Sequence, residues 1–163
     1  MNERKPPGTR ADYAVFQPMQ TRWNDNDQFG HLYNATYTEL FDEAMNMTLL
    51  ERGFLDHRGG GSIQVVVENG CLYFREVAHP DRLEIGLRLT GLGRTSFRLE
   101  MGMFRQGDAT ESARAHFALV NVDHATRRPL PLSDAQRSAL QDLGPGLLAE
   151  QGGLAPSTTR GDG

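Results

Sequence analysis

The residue pattern predicts an α+β fold: one five-stranded antiparallel sheet around a single long central helix, with a short C-terminal helix. Three observations carry this. A helical apolar stripe runs from Asn34 to Arg52, two-residue alternation takes over after Gly61, and a capping signal stands at Ser133. A helix with one apolar face and strands with one apolar face bury those faces against each other.

In chain order, residues 1–11 (MNERKPPGTRA) are charged and proline-rich and read as a flexible arm. Asp12 to Trp23 favours a strand, with Pro18 pushing it to an edge or a bulge. The DNDQFG turn follows, rich in residues that bond to their own backbone. Between Asn34 and Arg52, Tyr37, Leu40, Phe41, Ala44 and Met45 follow i, i+3, i+4, i+7, i+8, which makes one helical face. Asn34 suits the N-cap and Gly53 the terminator. Gly59 to Gly61 reads as a flexible connection before a bulky run, Ile63 to Phe74, broken at Gly70. Leu83, Ile85, Leu87 and Leu89 alternate with polar residues, as do Phe97, Leu99, Met101 and Met103, and then Ala115, Phe117 and Leu119. Gly91–Thr95 and Gly107-Asp108 punctuate these strands, which are expected to form a four-strand meander with one covered and one wetter face. Ser133 and Gln136 make a capping-box pair, and Gly144-Pro145 ends that helix. One domain, 12–145, is expected, with 146–163 a disordered tail. Five strands also leave sheet edges that dimerisation would protect.

Composition narrows the function. A net charge of −4 argues against a general nucleic-acid binder, which normally presents a basic face. No run approaches the ~18–20 apolar residues of a membrane span, and no secretory signal opens the chain, so no membrane insertion is expected. The single cysteine, Cys71, excludes an intrachain disulfide and suits a reducing cytoplasm; in the apolar run CLYF it reads as a buried, inert thiol. The five histidines lack zinc-site spacing, so no metal and no cofactor are expected.

The most informative stretch is RWNDNDQFGHLYN, residues 22–34, which places Asp27, His31 and Asn34 on a turn running into a helix N-terminus. Backbone N–H groups and a partial positive charge are available there to a developing anion. An aspartate of ordinary pKa, about 3.9, is ionised at neutral pH, so it needs only position and desolvation to act as a base or nucleophile. Asp25, Asn26 and Asp27 are equally turn formers, and that reading stays open. His31 either orients a carbonyl, a water or Asp27, or stabilises the turn. Asn34 caps the helix, and its N–H lies where it can donate to an oxyanion. Glu68, the one acid within IQVVVENG, either faces an active site, if necessary across a dimer interface, or reaches solvent. Arg94 and Ser96 sit in a turn where they either meet phosphate or are simply solvated; GRTS is not a Walker loop.

The segment RWNDNDQFGHLYNATYTELFDEA resembles the acyl-CoA thioesterases of the hotdog fold, above all the group related to 4-hydroxybenzoyl-CoA thioesterase and to plant acyl-ACP thioesterases. The resemblance extends over about residues 13 to 143, with VVENGCLYFREVAHPDRLEIGLRLTGLGRTSFRLEMGMFR matching the family's later strands. It implies that Asp27 is the catalytic carboxylate, attacking the thioester or activating water, and that the Asn34 N–H polarises the carbonyl. It also implies that His31 and Asn34 form an HxxN pair, that Gly30 allows close backbone approach, and that Asp25 serves the turn. Tyr37, Phe41, Tyr73 and Phe104 are the side chains expected to close an acyl tunnel, and Arg94 the one expected to meet CoA phosphate. The implied partners are an acyl-CoA or acyl-ACP substrate and a second copy in a homodimer, or a homotetramer. Two rivals remain. A hotdog hydratase or dehydratase would need a D-x-N-P-x-H or GH-F-P loop, which this spacing lacks. A non-catalytic acyl-thioester binder would have no use for Asp27.

Overall fold

The computed structural model describes residues 5–55 and 61–144. Five strands form one antiparallel sheet: β1 (Val15–Gln20), β2 (Ser62–Tyr73), β3 (Arg82–Leu92), β4 (Ser96–Arg105) and β5 (Ala113–Asp123). Helix α1 (Asn34–Glu51) packs on one face of it, and α2 (Asp134–Gln141) follows the last strand. The tail expected beyond residue 145 and most of the Gly59–Gly61 connection lie outside the described residues.

Helix α1 forms because its stripe is buried: Tyr37, Leu40, Phe41, Ala44, Met45 and Leu49 all join the core. Gly53 ends it with φ of +70°, a conformation that suits a residue without a Cβ. The helix starts at Asn34 as expected, but its cap differs. Tyr33, not Asn34, is the N-cap, and it gives no side-chain hydrogen bond to the helix. The cause lies upstream, where the Tyr33 N–H donates to the Asp25 carbonyl at 2.9 Å and holds residue 33 at the entry. A missing cap costs about 0.5–2 kcal/mol, whereas each large apolar side chain taken from water contributes about 1.5–3 kcal/mol. The stripe therefore outweighs the cap.

The strand order is β1-β3-β4-β5-β2, which corrects the four-strand meander. Only β3, β4 and β5 are joined by consecutive hairpins. β1 takes the free side of β3, from Val15 opposite Leu87 to Gln20 opposite Arg82. β2 is displaced to the far edge and pairs with β5, with a bulge between Val66 and Glu68. Pro18 accordingly sits on an edge strand, as its missing N–H requires.

The helix-side face holds the alternating residues read from sequence: Leu83, Ile85, Leu87, Leu99, Met101, Met103, Ala115 and Phe117 are buried. The opposite face is not simply wet. Gly86 of β3 pairs with Gly102 of β4, and the Tyr13 ring lies across both. A Cβ on Gly102 would stand 2.5 Å from the Tyr13 hydroxyl, and one on Gly86 2.7 Å from the ring. Phe16 and Phe104 meet the same ring edge-on, at 6.4 and 5.7 Å between centroids. The Tyr13 hydroxyl donates to the fully buried Glu111, which also accepts the Gly8 N–H at 2.7 Å and pairs with Arg114. Arg10 reaches Glu84 at 2.7 Å. From Gly8 onward, then, the segment expected to be a loose arm is tied to the sheet. Phe104 belongs to this second cluster, not to a tunnel.

Candidate active site

Two neighbouring residues, Asp25 and Asn26, anchor the loop before α1. Asp25 is 2% exposed and accepts the Arg22 backbone N–H at 2.7 Å and the Arg22 Nη2 at 2.8 Å. Asn26 bridges Leu32 across the loop, and its Oδ1 accepts the His79 N–H at 2.9 Å. Within that frame the Asp27 N–H donates to the His31 carbonyl at 2.9 Å, and the Gly30 N–H to the Asp27 carbonyl at 3.2 Å. Gly30 has φ of +89°, so its glycine serves the left-handed corner of this turn.

Asp27 does two things at once. Its Oδ1 accepts the Phe29 N–H at 2.8 Å, a local turn bond. Its Oδ2 lies 3.5 Å from His31 Nδ1, with the Asp27 side chain 19% exposed and the His31 side chain 33%. His31 Nδ1 is also 3.3 Å from the Leu32 carbonyl. One carboxylate oxygen is thus fixed by backbone and the other faces an imidazole.

The helix mouth beside them is open. The Thr36 N–H is taken by the Tyr33 carbonyl at 2.9 Å, while the Asn34 and Ala35 N–H groups meet no acceptor among the described residues. A groove of about 210 Å³ runs past this mouth, lined by His31, Leu32, Asn34, Tyr37, Tyr73, Phe74, Arg75 and Glu76. Asp27 is not in its lining; it stands behind His31. Tyr37 is 4% exposed, its hydroxyl accepts the Val77 N–H at 3.3 Å, and Tyr73 packs edge-on against it at 5.0 Å. Burial, and next the neighbouring Cys71, push the Tyr73 phenol up to about 12. Burial likewise pushes the Cys71 thiol up to about 11, so it rests as a thiol. Phe41, expected in a tunnel, is instead fully buried in the core.

A second, larger groove of about 570 Å³ flanks the other side of the same helical turn, between Ala35, Thr38, Glu39 and Asp42 of α1 and Val66, Asn69 and Phe117 of the sheet. Desolvation raises the Asp42 carboxyl, and the Asn46 amide partly offsets this. Three of the most exposed large hydrophobic residues, Trp23, Phe29 and Tyr33, surround the Asp27 loop.

Of the residues singled out from sequence, Asp27, Gly30, His31, Asn34 and Tyr37 come together. Glu68, Arg94 and Ser96 do not join them within one chain. Glu68 lies on the sheet face away from α1, 3.5 Å from Arg98 and 3.4 Å from His116, with all three side chains more than half exposed. Arg94 and Ser96 sit at the β3–β4 turn, where the Arg94 carbonyl accepts the Leu132 N–H at 2.9 Å. That turn and the Asp27 loop lie at opposite ends of β3, roughly 30 Å apart along an 11-residue strand. Sequence reading missed Arg75 and Glu76, which enter the groove from the loop after β2; no spacing signal marks them. Among the described residues, no group of three or more His, Cys, Asp or Glu side chains could hold a metal ion, and no helix is long and apolar enough to cross a membrane.

Comparison with known proteins places this geometry in context. Residues 21–140 match the model of the thioesterase-like superfamily. A 1,4-dihydroxy-2-naphthoyl-CoA hydrolase of Synechococcus elongatus is 30% identical over 126 residues, covering 74% of this chain and 90% of the relative. The crystal structure of PA5185 from Pseudomonas aeruginosa superposes with a TM-score of 0.83 at 42% identity, covering 85% of this chain and 97% of that one. A Thermus thermophilus thioesterase solved with coenzyme A and zinc is 27% identical, with a TM-score of 0.65, covering 79% and 93% of the two chains.

Proposed function

The chain belongs to the thioesterase-like superfamily, and on that premise we propose that it hydrolyses the thioester of an acyl-CoA, or of an acyl carrier protein, to free acid and thiol. The observation that carries this reading is the Asp27–His31 pair, whose imidazole lines one groove together with the uncapped N-terminus of α1. The thioester carbonyl takes its place at the helix mouth, where the Asn34 and Ala35 N–H groups and the helix dipole favour negative charge on its oxygen. Asp27 supplies the base: its carboxylate takes a proton from water, the resulting hydroxide adds to the carbonyl carbon, and the C–S bond breaks as that proton passes to sulfur. Direct attack by Asp27 is the other route, through an acyl-aspartyl anhydride that water then opens. His31, between Asp27 and the groove, orients the water or the carboxylate.

The active form on this reading is a homodimer, with a homotetramer as the alternative. Among the described residues strand β2 pairs with β5 alone and forms an edge of the sheet, with Val65, Val67 and Leu72 exposed along it. Pairing with a second β2 satisfies that edge and brings Glu68 and the β3–β4 turn, with Arg94 and Ser96, within a shared assembly. A cytoplasmic location accords with the lone cysteine.

The test is release of free thiol from a panel of acyl-CoAs. Wild type is expected to turn over at least one, and Asp27→Asn to lose about 10²–10⁴ in kcat with its thermal transition unchanged. Saturable binding without thiol release would make the protein an acyl-thioester binder instead. Turnover in ¹⁸O-water separates the two routes: label enters the Asp27 side chain only if that carboxylate attacks directly and water opens the anhydride at the Asp27 carbonyl.

A further inference from the structure

Tyr37 is the one polar side chain of the groove wall that is almost wholly buried, and its hydrogen-bonding capacity is half used. Its oxygen accepts the Val77 N–H at 3.3 Å, but its own proton has no acceptor among the described residues. A buried hydroxyl normally finds one. Tyr37 also stands one turn into α1, about 4.5 Å along the axis from Asn34, and helical side chains lean back toward the N-terminus. Its phenol therefore shares the groove with Asn34 and the open helix mouth. We infer that Tyr37 is a further catalytic residue, whose O–H donates a hydrogen bond to the thioester carbonyl oxygen alongside the first-turn N–H groups of α1.

This rests on the hydrolase reading of the site and adds a side-chain donor to it. The Val77 N–H bond fixes the phenol, and Tyr73 packed edge-on at 5.0 Å restricts the ring. A donor held this way needs little reorganisation when charge develops. The phenol does not give up its proton. Burial raises it, and the nearby Asp27 and Glu76 carboxylates add to that effect against the lowering by Val77. Tyr37 is thus a neutral donor throughout, while proton transfer stays with Asp27.

The test uses an unreactive probe, phenacyl-CoA, a ketone in which a CH₂ separates carbonyl from sulfur. The infrared stretch of its carbonyl is read on the full-length protein. Bound to wild type, the band is expected several wavenumbers below its position on Tyr37→Phe. With 3-fluorotyrosine at position 37, which keeps the Val77 bond and donates more strongly, the band should fall further. In turnover of the best acyl-CoA, Tyr37→Phe should lower kcat by about 10²-fold with KM changed less than threefold. Identical carbonyl bands in wild type, Tyr37→Phe and the fluorotyrosine protein would overturn the inference, even if Tyr37→Phe were slow or less stable. A wild type that shifts the probe band but releases no thiol would instead sink the hydrolase reading while leaving the Tyr37 contact standing.

Discussion

The two helices of this protein begin in opposite ways. Helix α2 is capped by side chains: Ser133 Oγ accepts the Gln136 N–H at 3.1 Å, and Gln136 Oε1 accepts the Ser133 N–H at 3.0 Å. Helix α1, more than twice as long, begins at a tyrosine that offers no side-chain oxygen to it, and its third N–H, on Thr36, bonds the Tyr33 carbonyl instead. A peripheral helix of eight residues has little buried surface and needs its cap. The central helix has surface to spare and does without a capping side chain, which leaves its mouth open to a ligand. Where stability could have been gained cheaply and was not, a function is the physical explanation.

Asn34→Pro tests this contrast most severely. Proline is well tolerated at the first helical position and deletes only the N–H there. Tyr33 already has the extended geometry, φ −63° and ψ 139°, that a following proline demands. We expect kcat to fall by about 10²–10³ with an unchanged melting temperature, whereas Asn34→Ala, which keeps the N–H, stays within a few-fold of wild type. Turnover preserved in Asn34→Pro would show that charge does not develop at the Asn34 N–H. Tyr33→Asp sharpens the same point from the other side. It installs the missing cap and a negative charge, which should add about 1 kcal/mol of stability and slow turnover about tenfold, equivalent to about 1.4 kcal/mol in the barrier. Denaturant unfolding and steady-state rates measured together would detect the trade, and a variant that gained in both would contradict it. Ser133→Ala should have the smallest effect. It is expected to remove about 1 kcal/mol and leave kcat unaltered below the unfolding range.

What the sequence made readable was mostly local. The stripe of α1, the alternation of β3 to β5 and the Ser133–Gln136 pair are all set by neighbours within a turn or two, and each appears in the fold where its spacing placed it. The position of β2 was not readable, because its partner β5 lies about fifty residues on, and two-residue alternation says nothing about which strand lies beside which. The N-cap of α1 was misjudged by one residue because Asn34 is the better cap by type, while a bond from the Tyr33 N–H to the Asp25 carbonyl decides the register. At the site, the 22–34 stretch brought Asp27, Gly30, His31 and Asn34 together, since a loop that short keeps its members close. Glu68, Arg94 and Ser96 depend on tertiary placement, and one chain holds them elsewhere. The face of the sheet opposite α1 is the wetter one, as expected, but its Tyr13 patch was not readable, because that cover comes from the first thirteen residues, whose charge and prolines mask the contribution of Tyr13.

The slot made by Gly86, Gly102 and Tyr13 has a consequence for how this chain can change over generations. Neither glycine can acquire even a methyl group while the tyrosine ring lies across it, and a smaller residue at position 13 would leave the Glu111 carboxylate without its hydroxyl donor. The three positions, together with Glu111, are therefore expected to drift only as a set. Any lineage that loses one should show compensating replacements at the other three.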